Sequence, residues 1–173
     1  MIFFWLCPVL LPDICDKVEI RGAGWGKVAG FVFQGTSALA LDGKGRMGVP
    51  VRHRDALAAL SANQLTLTQH PVGCLLVFPR PAWEGFRSQL LGLPMEADGW
   101  RRFFVGSAVD VDIDSAARVL VPPELRAMAG LDKDVLLLGM GSRLELWDAT
   151  RYAAHQAQVM AGPMPEAIKG FVF

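Results

Sequence analysis

Apolar positions along this chain alternate in short runs, then shift to helical spacing, and the same succession occurs twice. Residues 36–41 and 107–113 are short, apolar-rich and followed by turn chemistry, which predicts strands. Each run ends at an aspartate, three residues intervene, and an arginine opens a second short apolar run closed by proline. The first copy runs from Leu39 through Asp42 and Arg46 to Pro50, the second from Val111 through Asp114 and Arg118 to Pro122. Asp42-Gly43 is a hairpin signal because both residues tolerate positive φ, so the chain is expected to return into Met47-Gly48-Val49 and, in the second copy, Val119-Leu120-Val121. Pro50 and Pro122 cannot donate to a strand ladder and suit a first helical turn.

Helices are therefore expected over about 51–60 and 123–129, the second capped by Gly130. Two more strands complete each copy: Gln64–Thr68 with Cys74–Phe78, and Asp134–Leu138 with Arg143–Trp147, the latter pair joined by a turn at Gly139-Met140-Gly141. Further helices are predicted at about 81–91, with Trp83, Phe86 and Leu90 on one face and Gly92-Leu93-Pro94 as its stop, and at about 149–160. Trp83 lies five residues after Phe78, as Tyr152 lies five after Trp147, so the repeat extends into these helices.

The organisation read from this pattern is a β-dominated α+β chain of two tandem modules. Residues 1–31 form an extension outside the fold. Module 1 covers 32–94 with its core at 36–80, 95–104 link the modules, module 2 covers 105–152 with its core at 107–149, and 153–173 form a C-terminal helix and tail. The aromatics Trp100, Phe103 and Phe104 of the linker are expected to pack. Met1–Pro12 is strongly apolar but has no preceding basic residue, is interrupted by Pro8 and Pro12, and falls short of the ~20 residues a membrane helix needs. Four glycines between Arg21 and Gly30 read as a connector.

Composition narrows the function. With 52% hydrophobic and 20% charged residues the chain can bury a core, and 17 basic residues balance 17 acidic ones, so no global field draws it onto nucleic acid. Cys7, Cys15 and Cys74 are too few and too irregular for a disulfide framework. His70 and Cys74 would be half a metal site without partners, and a turn around Pro71 and Gly73 followed by a buried thiol is the simpler reading. No cofactor, metal, membrane or small-molecule substrate is expected. Neither a nucleophile motif nor a Walker-type loop is present, so the chain is not expected to be an enzyme.

A local basic patch is hidden by the overall balance. Lys44, Arg46, Arg52 and Arg54 face only Asp42 between residues 42 and 54, an excess of three positive charges. Gly43 and Gly45 let backbone N–H groups approach phosphate, Arg46 can use its fork on phosphate or guanine, and Lys44 suits a phosphate contact. Arg118 occupies the equivalent place in module 2, among Asp110, Asp112, Asp114 and Glu124. An aspartate and arginine flanking a tight turn can also pair with each other or across the module interface, a role that can coexist with phosphate or base contact, and the alternative for Arg52 and Arg54 is that they are merely the solvated face of the first helix.

With these residues in view, the chain resembles the MraZ family. The resemblance rests on the two Asp-x-x-x-Arg motifs and their flanks: Phe33-Gln34-Gly35, Arg52-His53-Arg54, Phe78-Pro79-Arg80-Pro81-Ala82-Trp83, Leu131-Asp132-Lys133-Asp134-Val135 and Leu144-Glu145-Leu146-Trp147-Asp148. It covers residues 32 to about 155. It implies AbrB-like swapped-hairpin modules forming a double-split β-barrel with flanking helices, and a cytoplasmic, nucleoid-associated regulator that assembles into homo-oligomeric rings. The resemblance further implies binding to short direct repeats in double-stranded DNA upstream of the division and cell-wall gene cluster, usually as a repressor. Family members begin near Phe33, so Val32 is the expected initiator, and Ser115-Ala116-Ala117 departs from the glycines common in the second motif. The competing readings are an antitoxin-like protein-binding module and a ring-forming structural protein.

Overall fold

The computed structural model describes residues 32–170. The extension 1–31, with Cys7, Cys15 and the apolar run Met1–Pro12, lies outside the described residues, as does the end of the tail. The strands are β1 (Phe33–Ala40), β2 (Arg46–Gly48), β3 (Gln64–Gln69), β4 (Leu75–Pro79), β5 (Val109–Asp112), β6 (Arg118–Leu120), β7 (Asp134–Gly141) and β8 (Arg143–Asp148). The helices are α1 (Val51–Ser61), α2 (Arg80–Leu91), α3 (Asp98–Phe104), α4 (Pro123–Ala129), α5 (Ala149–Ala161) and the short α6 (Glu166–Lys169). None of the helices in the described residues is long and apolar enough to cross a membrane.

The mixed α+β class holds, but hydrogen bonding closes no barrel. Six strands form one antiparallel sheet in the order β1-β7-β8-β4-β3-β5, and β2 pairs with β6 as a separate two-stranded ribbon. This order reads the same when the two copies of the repeat are exchanged, as an internal two-fold relation requires. β1 pairs with β7 over its whole length, and β5 pairs with β3. Each copy therefore lends its first strand to the other.

The hairpin expected at Asp42-Gly43 turns the chain without laddering β1 to β2. Gly45 N–H donates to Asp42 C=O at 2.8 Å and Asp42 N–H to Arg46 C=O at 2.9 Å, which closes the turn. Beyond it the edge of β1 is already used by β7, and Leu41 N–H extends that ladder to Lys133 C=O. β2 is left to pair with its own counterpart, because burying Met47 against Val119 satisfies both short strands at once. β1 also starts earlier than the pattern indicates, since Gly35 at φ +80° interrupts the alternation while Phe33 is buried.

One core joins both copies: Met47, Val49 and Leu57 pack with Leu65, Val77, Val119, Val121, Leu137 and Leu146. Full burial of each such side chain stabilises by about 1.5–3 kcal/mol. Helix starts follow the strand ends, as Pro50, Pro79 and Pro122 each stand at the cap with extended geometry and terminate the preceding segment. Gly130 caps α4 at φ +59°.

One sequence expectation is extended and one corrected. The linker 95–104 is a 3-10 turn followed by α3, and Phe104 packs edge-on against Phe86, itself stacked on Phe78. Thr68 anchors it by donating to Phe104 C=O at 2.6 Å. The turn between β7 and β8 sits at Gly141-Ser142, because Met140 already pairs with Arg143. Gly139 belongs to the strand instead, where β1 crosses so closely that a Cβ would overlap the Phe33–Gln34 backbone.

Candidate nucleic-acid interface

The ribbon β2–β6 brings the two motifs together. Its register places Arg46 opposite Leu120, Met47 opposite Val119, and Gly48 opposite Arg118. Alternation buries Met47 and Val119 and turns Arg46, Gly48, Arg118 and Leu120 outward. The two arginines occupy diagonal positions on one face, a relation that sets the residues about 7–8 Å apart, within reach of long side chains. Pairing continues at both ends, with Val49 N–H donating to Ala117 C=O at 2.8 Å and Val121 N–H to Gly45 C=O at 2.9 Å.

Each loop is built by its aspartate. Asp42 Oδ1 accepts from the backbone N–H of Lys44 and of Arg46, both at 2.9 Å, which fixes the turn. Its Oδ2 receives Arg46 Nε at 2.8 Å and lies 2.7 Å from Nη2. Asp114 repeats this with Ala116 and Arg118 N–H at 2.9 and 2.8 Å, Arg118 Nε at 3.0 Å and Nη2 at 2.9 Å. Hydrogen bonds from the Arg46 side chain and backbone hold the Asp42 carboxyl down at about 2, and Arg118 lowers that of Asp114 in the same way. The ion-pair reading of both arginines is thus correct as geometry. Their guanidinium groups remain partly exposed.

The two loops have the same frame despite different intervening residues. Gly45 takes φ +77°, a conformation glycine adopts freely; Ala117 at the matching position takes φ +56° against its preference. Behind the ribbon, Arg54 Nε donates to Val49 C=O at 2.9 Å and Arg126 Nε to Val121 C=O at 3.1 Å. Arg126 lies directly against Gly45. Its place was legible from the matched Pro50/Arg54 and Pro122/Arg126 spacing.

The remaining basic residues are distributed unevenly. Lys44 is exposed at the tip of the first loop, where the second carries Ala116. Arg52 lies away from the ribbon, donating from Nη2 to Ser37 Oγ of β1 at 2.6 Å and from Nε to His53 Nε2 at 3.2 Å. His53 is buried edge-on to Phe33, and desolvation first, then the Arg52 charge, lowers its pKa. Gly48 and Leu120, which the sequence reading placed in the return strands but not in the site, share the outer face; the signal for that is the two-residue period of strands three residues long.

Cys74 is buried beneath Trp147 and Leu138, and burial pushes its thiol up to about 12. His70 closes the turn with it, its backbone N–H donating to Cys74 C=O at 2.9 Å, and no cluster of three or more His, Cys, Asp or Glu residues placed to hold a metal ion occurs among the described residues.

The family model described as "MraZ protein, putative antitoxin-like" matches twice, over residues 32–104 and 103–167. A protein of Methylibium petroleiphilum named "Transcriptional regulator MraZ" is 64% identical over 146 residues, 84% of this chain and all of the relative. Proteins of the same name from Leptothrix cholodnii, 62% identical over 84% of this chain, and Burkholderia mallei, 59% identical over 82%, are likewise matched over their full length. On the repeated motif, the two-fold strand exchange and these matches, the chain belongs to the MraZ family.

Proposed function

We propose that this chain is a transcriptional regulator that binds duplex DNA through the β2–β6 ribbon, repressing from short direct repeats upstream of the division and cell-wall gene cluster. The observation that carries the reading is the pair of outward arginines on a two-stranded ribbon, an element the major groove admits. Lys44 supplies a phosphate contact on the first loop. Arg54 and Arg126 raise the positive potential behind the ribbon. Arg52 contributes at longer range. Two swapped modules would complete the double-split barrel of the AbrB-like type, with the ribbon as its second layer.

The chain works as a homo-oligomer of more than two copies. Leu91, Leu93, Met95 and Trp100 are exposed from the end of α2 into α3, and Val159 and Met160 near the end of α5, apolar surface that is a hazard for a monomer and suits contact between copies. An oligomer presents many ribbons to repeated sites and gains effective concentration. The description of the matching family model includes the term antitoxin-like, and the exposed apolar end of α5 fits partner binding as a second reading.

The test is fluorescence anisotropy of the purified chain on duplex DNA from upstream of its own gene, across a salt series. Arg46→Ala is expected to weaken binding and flatten the salt dependence while circular dichroism and oligomer mass stay unchanged. Arg118→Ala is expected to do the same to a smaller extent, since its loop lacks a second cation. Unchanged affinity and slope for a folded Arg46→Ala would remove the ribbon as the DNA-reading surface and favour partner binding.

A further inference from the structure

The two aspartates are in an electrostatically unhelpful place for a surface that only attracts phosphate. Each sits in the exposed loop that leads into the ribbon, paired with the arginine that would meet DNA, and each cancels a positive charge. Stability accounts for the Oδ1 acceptor that holds each turn but poorly for the charge, because an asparagine oxygen could accept the same two N–H groups and exposed ion pairs contribute little to folding. The loops differ at all three intervening residues, yet both reach the same arrangement, with Oδ1 tied to two backbone amides and Oδ2 on Nε and Nη2.

Resting on the DNA-binding reading above, we propose that Asp42 and Asp114 are positioning residues that aim Arg46 and Arg118 at guanine edges, exchanging bulk DNA affinity for base selectivity. A guanidinium carries five N–H donors in a fixed plane. The carboxylate occupies the Nε side, and the backbone amides on Oδ1 lock that carboxylate to the turn. The opposite edge, formed by Nη1 and the second N–H of Nη2, has no protein acceptor among the described residues. Two parallel donors on a held plane match two adjacent acceptors, and in the major groove guanine presents that pair at N7 and O6. Holding the side chain before DNA arrives also removes an ordering cost that binding would otherwise meet. Gly48 and Leu120 flank the arginines, and the absent side chain at Gly48 leaves room beside Arg118 for a base edge. Lys44, which no carboxylate among the described residues holds, supplies the unselective part.

The experiment uses the full chain and a library of short randomised duplexes, selected on wild-type protein and sequenced, followed by anisotropy on a selected duplex and its scrambled counterpart. Asp42→Asn with Asp114→Asn keeps an Oδ1 acceptor for the turn and loses the ion pair. This variant is expected to bind the scrambled duplex as tightly as wild type or more tightly, with selectivity reduced on the order of tenfold or more. Arg46→Lys with Arg118→Lys keeps the charge and loses the planar fork, and is expected to lose selectivity to a similar degree. Thermal melts of both variants establish that they are folded. Selectivity retained by the asparagine variant, or an equal loss on both duplexes in a folded protein, overturns the positioning role. Enrichment of sequences lacking guanine overturns the base assignment while leaving DNA binding intact. Failure of wild type to retain any duplex overturns the DNA-binding reading itself, a result distinct from the others.

Discussion

Replacing Gly45 with alanine tests whether the ribbon loop is held by the contacts described. The position has φ +77°, and a Cβ built there would lie 2.5 Å from Arg126 Cζ, 2.7 Å from Nε and 2.9 Å from Nη1. Left-handed backbone costs an alanine about 1–2 kcal/mol, and the reduced freedom of the unfolded chain returns about 0.5 kcal/mol. The guanidinium is the end of a flexible side chain and can move aside, but its hydrogen bond to Val121 C=O is then lost, at about 1 kcal/mol. The expected net destabilisation is about 2 kcal/mol, read from urea unfolding at constant slope. Arg126→Ala provides the control, because without the guanidinium only the backbone part should remain and Gly45→Ala should cost about 1 kcal/mol. An equal cost in both backgrounds would show that Arg126 does not pack on the loop. The converse substitution, Ala117→Gly, relieves the left-handed alanine of the second loop at the expense of unfolded-state entropy, so by the same figures it should stabilise by about 1 kcal/mol. A loss of 2 kcal/mol or more there would mean that the φ +56° alanine is not strained.

Gly139→Ala should be more severe than Gly45→Ala, since the added Cβ would meet backbone that cannot move aside, only 2.6 Å from Gln34 Cα. Hydrogen exchange should show β1 amides losing protection before those of β4 and β8, and uniform protection would contradict the close crossing. Acid should weaken the ribbon in a defined window: the Asp42 carboxyl lies below its usual 3.8 at about 2, so its contribution is complete above pH 4 and lost as pH falls through about 2. Asp114 adds a loss of the same sign. Unfolding measured between those limits should be less pH-dependent for Asp42→Asn with Asp114→Asn than for wild type, and an unchanged slope would refute the assignment.

Much of this architecture is written locally. The two-residue and helical periods of the apolar positions located all four strands of each copy and the helices α1, α2, α4 and α5, because side-chain direction in these elements follows from backbone geometry alone. The Asp-x-x-x-Arg spacing marked the two loops, and an aspartate side chain that caps its own turn needs no distant partner. The repeat also displayed the matched Arg54 and Arg126. Strand partnership was not legible. An apolar strand face is satisfied by any complementary edge, so the alternation around Leu39 fits β2 as well as β7, and only burial of one shared core selects the exchange of first strands. That choice leaves β2 and β6 to each other, and it alone sets Arg46 diagonal to Arg118, more than seventy positions away in sequence. It also separates Arg52, drawn toward Ser37 on β1, from Arg46 on the ribbon, although the sequence sets them in one basic run. The helix in the linker was not legible for the same reason, although packing of its aromatics was: Trp100, Phe103 and Phe104 lie in a helix because tertiary packing on Phe86 and the Thr68 hydrogen bond stabilise a segment too short to hold itself. The sequence by itself determined the elements, their turns and the two loops that carry the arginines; the tertiary structure decided which strands meet, because that depends on area buried between residues far apart in the chain.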